Sequence, residues 1–111
     1  MIIFKVLRDN EYKDLRIDRL CDGSKSDIQD GFIHLSTNDQ LAGTVKKHFQ
    51  NEKSLILMAV NSEELGDNLI WEKARGEKLF PHFYGKLKYN MALWFAPLEF
   101  YGDHFLWPSG L

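Results

Sequence analysis

A single cysteine, Cys21, stands in a chain of 111 residues, so no internal disulfide can form. A reducing compartment fits that usage. No histidine lies beside Cys21 in sequence, and a structural thiol is a simpler reading than a catalytic one. Charge of one sign is also lacking: 14 basic residues face 16 acidic ones, for a net charge of -2. That balance gives no general attraction for nucleic acid or an anionic membrane, although it leaves room for a local basic pocket. Long apolar runs are absent too. The longest, residues 55–60 and 91–98, are too short to span a bilayer. The opening Met1-Ile2-Ile3-Phe4-Lys5 lacks the apolar core of a signal peptide. A soluble cytoplasmic protein is expected. No G-x-S-x-G, C-x-x-C or P-loop occurs, and no glycine-rich loop follows the first β-prone segment. Hydrolase, redox, kinase and Rossmann readings therefore have no support.

What is present is enough for one packed domain over residues 1–111. Hydrophobic residues make up 44% of the chain and aromatics 14%, too much for disorder. A domain of this length buries roughly two thirds of its unfolded surface. No repeat, linker or low-complexity tract divides it.

Residues 2–7 read as a short strand. Asp9 and Asn10 offer N-caps for a helix to about residue 20, with Leu15 and Leu20 on its buried side. Residues 21–30 are polar and read as a loop, and 31–36 as a second strand. Thr37-Asn38-Asp39-Gln40 has capping-box spacing. The helix after it carries Leu41, Val45 and Phe49 as one apolar stripe and should end near residue 51. Strands are expected at 54–60, 69–73 and 92–96, the last resuming at 98–101 beyond Pro97. Residues 62–66 suggest a helical turn closed by glycine, 75–77 a turn, and 79–85 an aromatic loop containing Pro81. The tail carries Phe105, Leu106 and Trp107, and so much apolar surface predicts docking on the body. Strand, helix, strand, helix, then mostly strands predicts an α+β fold, with two short helices on mostly antiparallel sheets.

Three clusters are candidates for chemistry. In residues 30–37, alternation places Phe32, His34 and Ser36 on one strand face, with Ile33 and Leu35 facing the core. Phe32 could stack on a base or nicotinamide ring, and His34 and Ser36 could hydrogen-bond a ribose or amide. A half-buried strand with a satisfied histidine is the plainer alternative. In residues 71–76, Glu72 could act as a general base or bind a ribose hydroxyl, and Arg75 could hold a phosphate with its planar fork. A surface ion pair is the alternative there. In residues 79–85, Pro81 and Gly85 bracket His82 among aromatics, forming a pocket wall or a plug for the core edge. No third ligand stands at metal-like spacing from His34 and His82, so no metal is expected. His48 is expected to face solvent at a helix C-terminus, where its charge is favoured. His104 suggests no role.

Together these stretches resemble the domain-of-unknown-function 952 family: residues 30–36 with Gln40 after them, Trp71-Glu72 with Arg75-Gly76, and Leu79-Phe80-Pro81-His82 with Tyr84-Gly85. Lys5 sits where that family often has a lysine or histidine. The resemblance runs in order over about residues 1–101, with 102–111 as a tail. Glu77 departs from it, since a second glycine is usual there, and Tyr12 stands where a tryptophan is common. The resemblance implies an ADP-ribosyltransferase-like fold, near the RNA 2′-phosphotransferase branch, with NAD bound in a cleft between two small sheets. It implies that Lys5 and Arg75 contact phosphates, that His34 and Ser36 contact the ribose or nicotinamide end, that Glu72 is the carboxylate, and that His82 and Tyr84 line the acceptor side. His34, Glu72 and His82 are then the catalytic candidates.

Three functions follow as expectations. One is an enzyme acting on NAD or another ADP-ribosyl or phosphorylated nucleotide. The second is a module that binds such a nucleotide without turning it over. The third is a protein-interaction domain presenting Phe80, Phe83, Tyr84 and Trp107. The near-neutral charge argues against broad RNA affinity.

Overall fold

A computed structural model describes residues 1–101, 104–108 and 111. Nine strands, three α-helices and four short 3-10 turns follow one another among them, and every strand pairing is antiparallel. The α+β expectation holds, with one helix more than the apolar periodicity predicts. No helix among the described residues is long and apolar enough to cross a membrane.

The first sheet has the order β1-β4-β8-β9, from β1 (Ile2–Arg8), β4 (Ser54–Asn61), β8 (Ala92–Tyr101) and β9 (His104–Leu106). Residues 3–7 of β1 are all buried, because both faces of this sheet are covered. Ile3 and Leu7 join Met58 and Val60 in one core, while Phe4 and Val6 join Leu57, Ala59 and Leu98 in another. Lys5 is the one charged residue in that run. The segments expected at 92–96 and 98–101 are one strand, β8, which runs through Pro97 without a break, and Pro97 faces Ile56 in the register. In the tail, β9 pairs with β8 and Phe105 packs on the second core. The docking expectation for residues 102–103 and 109–110 lies outside the described residues.

The helix after β1, α1 (Asp9–Asp18), begins one residue earlier than an Asp9 cap implies and two earlier than an Asn10 cap: Arg8 holds the cap position, and its N–H donates to Glu11 Oε1 at 2.9 Å. It ends at Asp18 because Arg19 turns left-handed at φ 64°. Leu15 is buried as predicted, but Leu20 falls beyond the helix and is exposed, in the two-residue strand β2 (Leu20–Cys21). Residues 21–30 are not a loop throughout. Lys25–Asp30 form a helix, α2, opened by a reciprocal box between Ser24 and Asp27 and closed by Gly31 at φ 83°. Gly31 takes a conformation that side chains resist, and its N–H returns to the Asp27 carbonyl at 2.9 Å.

The strand expected at 31–36 shortens to β3 (Ile33–His34), and Ser36 makes an isolated bridge to Phe4. Thr37 and Gln40 form the predicted box, a 3-10 turn follows, and α3 (Leu41–His48) ends three residues before the expected limit. Leu41, Val45 and Phe49 are all buried. Each such side chain contributes about 1.5–3 kcal/mol.

The second sheet has the order β3-β6-β5, with β5 at Leu69–Lys73 as predicted and β6 at Leu79–Phe83. β6 replaces the expected aromatic loop. Proline argued against a central strand; Pro81 keeps one half of its pairing with Leu35, whose N–H donates to the Pro81 carbonyl at 3.0 Å, and has no N–H to return, at the point where the two-residue β3 has ended. A small ladder pairs β2 with β7 (Leu87–Lys88). The turn at residues 75–77 holds Gly76 at φ 68° and Glu77 at φ 64°. Glu77 thus takes a left-handed conformation at the position where a glycine would relax it.

Candidate functional site

Alternation divides the second sheet cleanly. Ile33, Leu35 and Phe83 point into the first core. The opposite face carries Phe32, His34, His82 and Glu72, with Tyr84 just beyond β6. The register sets His34 directly opposite His82, with their ring centroids 5.5 Å apart. Phe32 lies against both: 4.6 Å from His34 and stacked at 4.1 Å on His82, with Tyr84 at 5.2 Å. The Phe32 ring is therefore held in place, with one face already covered by His82. Glu72 reaches across from β5. Its Oε1 accepts from His82 Nδ1 at 2.8 Å and from Tyr84 Oη at 2.7 Å. Those donors hold the Glu72 carboxyl below its ordinary value, Tyr84 first and His82 next, and the same bond to Glu72 raises the Tyr84 phenol. Glu72 therefore faces His82 and not the core.

The other half of the site is built where β1 meets β3. Phe4 N–H donates to the Ser36 carbonyl at 2.8 Å and Ser36 N–H to the Phe4 carbonyl at 2.9 Å. This bridge brings Lys5, the next residue, beside His34. Lys5 Nζ sits 2.7 Å from Asp27 Oδ2 and donates to the His34 carbonyl at 3.2 Å. Asp27 Oδ1 lies 2.5 Å from His34 Nδ1 and accepts from His34 N–H at 3.0 Å, while Oδ2 accepts from Ser24 N–H at 2.9 Å. Burial alone would raise the Asp27 carboxyl. The His34 hydrogen bond and the Lys5 charge overturn that and hold it well below the usual carboxylate range. Asp27 is thus the hub that ties α2 to β1 and β3. Sequence reasoning missed it because residues 21–30 read as a loop, although Ser24-x-x-Asp27 is itself a cap signature.

A small cleft of about 60 Å³ opens at this junction, lined among others by Lys5, Arg8, His34, Ser36, Thr44 and His48. Ser36 Oγ and Thr44 Oγ1 are 2.8 Å apart. His48 closes α3 and is exposed, as expected, but its charge is not favoured there. Partial desolvation at the mouth of the cleft, and then the positive Lys47, His34, Arg75 and Lys5, push its pKa below the ordinary histidine value. These cations lie at one end of the cleft, and the ionised Asp27, paired with Lys5, also lines it. Arg8 is held by Glu52 at 2.9 Å and by Glu11 at 3.6 Å.

Arg75 stands apart from Lys5. Its guanidinium lies 4.9 Å over the Phe80 ring, and Nη2 donates to the Gln40 carbonyl at 3.4 Å. It also rests on Gly43 of α3, where a Cβ would come within 2.9 Å of Nη2. The structure thus brings Phe32, His34, Glu72, His82 and Tyr84 into one cluster and Lys5, His34 and Ser36 into one cleft. His34 belongs to both. No group of three or more His, Cys, Asp or Glu that could hold a metal occurs among the described residues.

The chain matches the family described as Protein of unknown function (DUF952) over residues 6–95. It is similar to the crystal structure of protein CC0527 from Caulobacter crescentus, with 37% identity and a TM-score of 0.88 over 93% of this chain and 90% of that one. The solution NMR structure of the same Caulobacter protein superposes with a TM-score of 0.81 at 36% identity, covering 94% of this chain and 90% of that one. No curated protein matches the chain.

Proposed function

The chain belongs to the family described as Protein of unknown function (DUF952), and from its own geometry we propose that the junction of the two sheets binds NAD or a related ADP-ribosyl or phosphorylated nucleotide. The observation that carries this reading is the cleft itself. Lys5, Arg8 and His48 converge there with the hydroxyls of Ser36 and Thr44, and Asp27, which also lines the cleft, is already paired with Lys5. Such a constellation suits a phosphate, which is held by cations and hydroxyl donors together.

Size decides how the rest of the ligand lies. Pockets for whole cofactors enclose roughly 300–1,000 Å³, and the cleft holds about 60 Å³. It therefore takes one phosphate group, and the remainder of the nucleotide extends over the open face of the second sheet. His34 links the two parts, so the ribose passes over His34 and a ring reaches the free side of Phe32 and Tyr84. An ADP-ribosyltransferase-like architecture, with its ligand between two small sheets, is the fold reading that accompanies this pose. Glu72, kept ionised by Tyr84 and His82, is the carboxylate that would stabilise cationic charge developing at an anomeric carbon during transfer or hydrolysis. Arg75 would serve the phosphates only by leaving Phe80.

Binding without turnover is the second reading. Its support is that Glu72 Oε1 and the Lys5 ammonium are already engaged by neighbours. An NMR titration with NAD, ADP-ribose and a 2′-phosphorylated nucleotide tests the site, and mass spectrometry of the incubated nucleotide separates the two readings. Amide shifts confined to Lys5, His34, His48 and Phe32 are expected. An unchanged spectrum at millimolar ligand would remove the nucleotide reading.

A further inference from the structure

We infer that Asp30 sets the specificity of this site, keeping phosphate away from the outer nitrogen of His34 and making that position a subsite for an uncharged ribose diol. The inference rests on the nucleotide reading above and names which nucleotides it admits.

Asp30 is the last residue of α2, and no basic residue stands in that last turn. A helix C-terminus carries partial negative charge, so a carboxylate there is locally unfavourable. The side chain acts elsewhere. Its Oδ2 lies 3.0 Å from His34 Nε2, while His34 Nδ1 is occupied by Asp27. The two carboxylates differ in access: Asp27 is 1% exposed and Asp30 48%. Asp27 is therefore structural, and Asp30 stands where a ligand would reach His34.

The chemistry of that position follows. Both ring nitrogens of His34 are thus already engaged by carboxylate oxygens, with Asp30 on the outer one. A phosphate approaching Nε2 would have to displace Asp30 or lie beside it at like charge. A hydroxyl carries no charge, and by entering between Asp30 and Nε2 it hydrogen-bonds to the carboxylate and to the ring nitrogen at once, replacing the direct contact without bringing like charges together. Vicinal ribose hydroxyls offer two such groups. Asp30 lies outside the lining of the cleft at Lys5 and His48, so phosphate and diol have separate places. The site then admits a nucleotide with a 5′-phosphate and a free 2′,3′-diol and rejects one phosphorylated at the 2′ position.

The test is a pair of NMR titrations, with adenosine 5′-monophosphate and with adenosine 2′,5′-bisphosphate, on the native protein and on Asp30→Asn. The native protein should bind the monophosphate at least about fivefold more tightly, the size for like charges about 4 Å apart in water-like surroundings. Asp30→Asn should erase or reverse that preference by gaining affinity for the bisphosphate. The variant removes an unfavourable helix-end charge at an exposed site, so its amide spectrum should stay native-like. Equal or tighter bisphosphate binding by the native protein, or an unchanged preference in Asp30→Asn, overturns the role of Asp30 and leaves the nucleotide reading standing. No shifts with either ligand in either protein overturn both.

Discussion

His34 and His82 face each other across β3 and β6 with ring centroids 5.5 Å apart, and each is tied to a carboxylate from a third element: Asp27 on α2 for His34, Glu72 on β5 for His82. Phe32 fills the space against both rings. The two imidazoles are thereby fixed in orientation, and a ligand over this face meets a rigid surface. Rigidity of this kind lowers the ordering cost of binding.

Asp27 should matter more to stability than any other single polar residue of the site. Asp27→Ala leaves the Lys5 ammonium buried, at 4% exposure, without its partner. Breaking a buried pair in this way costs about 3–5 kcal/mol. Urea unfolding of the variant should show a loss in that range, and a loss below about 1 kcal/mol would mean that Lys5 finds another partner.

The same residue makes stability sensitive to acid. Because the folded Asp27 carboxyl is depressed, its contribution is complete above the unfolded aspartate value near 3.9 and is lost as pH falls below it. Unfolding free energy measured from pH about 6 to about 2 should fall through that window, and Asp27→Asn should flatten the fall. Identical acid limbs in both proteins would assign the acid sensitivity to other carboxylates.

Gly43→Ala probes Arg75. Alanine in place of a helical glycine gains about 1 kcal/mol, but its Cβ would stand 2.9 Å from Arg75 Nη2. The flexible guanidinium can move, so stability should stay within about 1 kcal/mol of native. The Arg75 side-chain NMR signal should shift and its contact with the Phe80 ring weaken. An unperturbed Arg75 signal would show that the guanidinium does not rest on α3.

Phe32→Ala should weaken nucleotide binding by roughly 1–3 kcal/mol through lost stacking, read by calorimetry with ADP-ribose. Native affinity would place the ring of the ligand elsewhere. Tyr84→Phe removes the largest influence on Glu72, so the Glu72 carboxyl should titrate nearer its ordinary value. Carboxyl NMR reads this directly, and an unmoved Glu72 would leave His82 as its controlling partner.

Regular patterns in the sequence translated directly into structure. The stripe of Leu41, Val45 and Phe49, the box at Thr37 and Gln40, and β5 at Leu69–Lys73 are local signals that tertiary contacts did not override. The alternation of Phe32 and His34 likewise put them on one face. The misses have long-range causes. α2 has only 6 residues, too few to display an apolar period, and is held by Asp27 reaching Lys5 and His34. β6 was hidden by Pro81, whose missing N–H matters only where a neighbouring strand would need it. His48 looked like an ordinary helix-end histidine because, beyond its neighbour Lys47, the cations near it come from β1, β3 and the turn at Arg75, which only the fold brings near.

The most direct test of the central claim is the pH titration of the His48 ring protons with and without ADP-ribose. Burial and neighbouring cations depress this pKa in the free protein, and a phosphate seated beside Lys5 in the cleft would reverse their effect. With phosphate bound there, the His48 titration should move clearly upward on adding ADP-ribose. An unchanged titration in the presence of saturating ligand would contradict that claim, because no anion would then lie at the cleft.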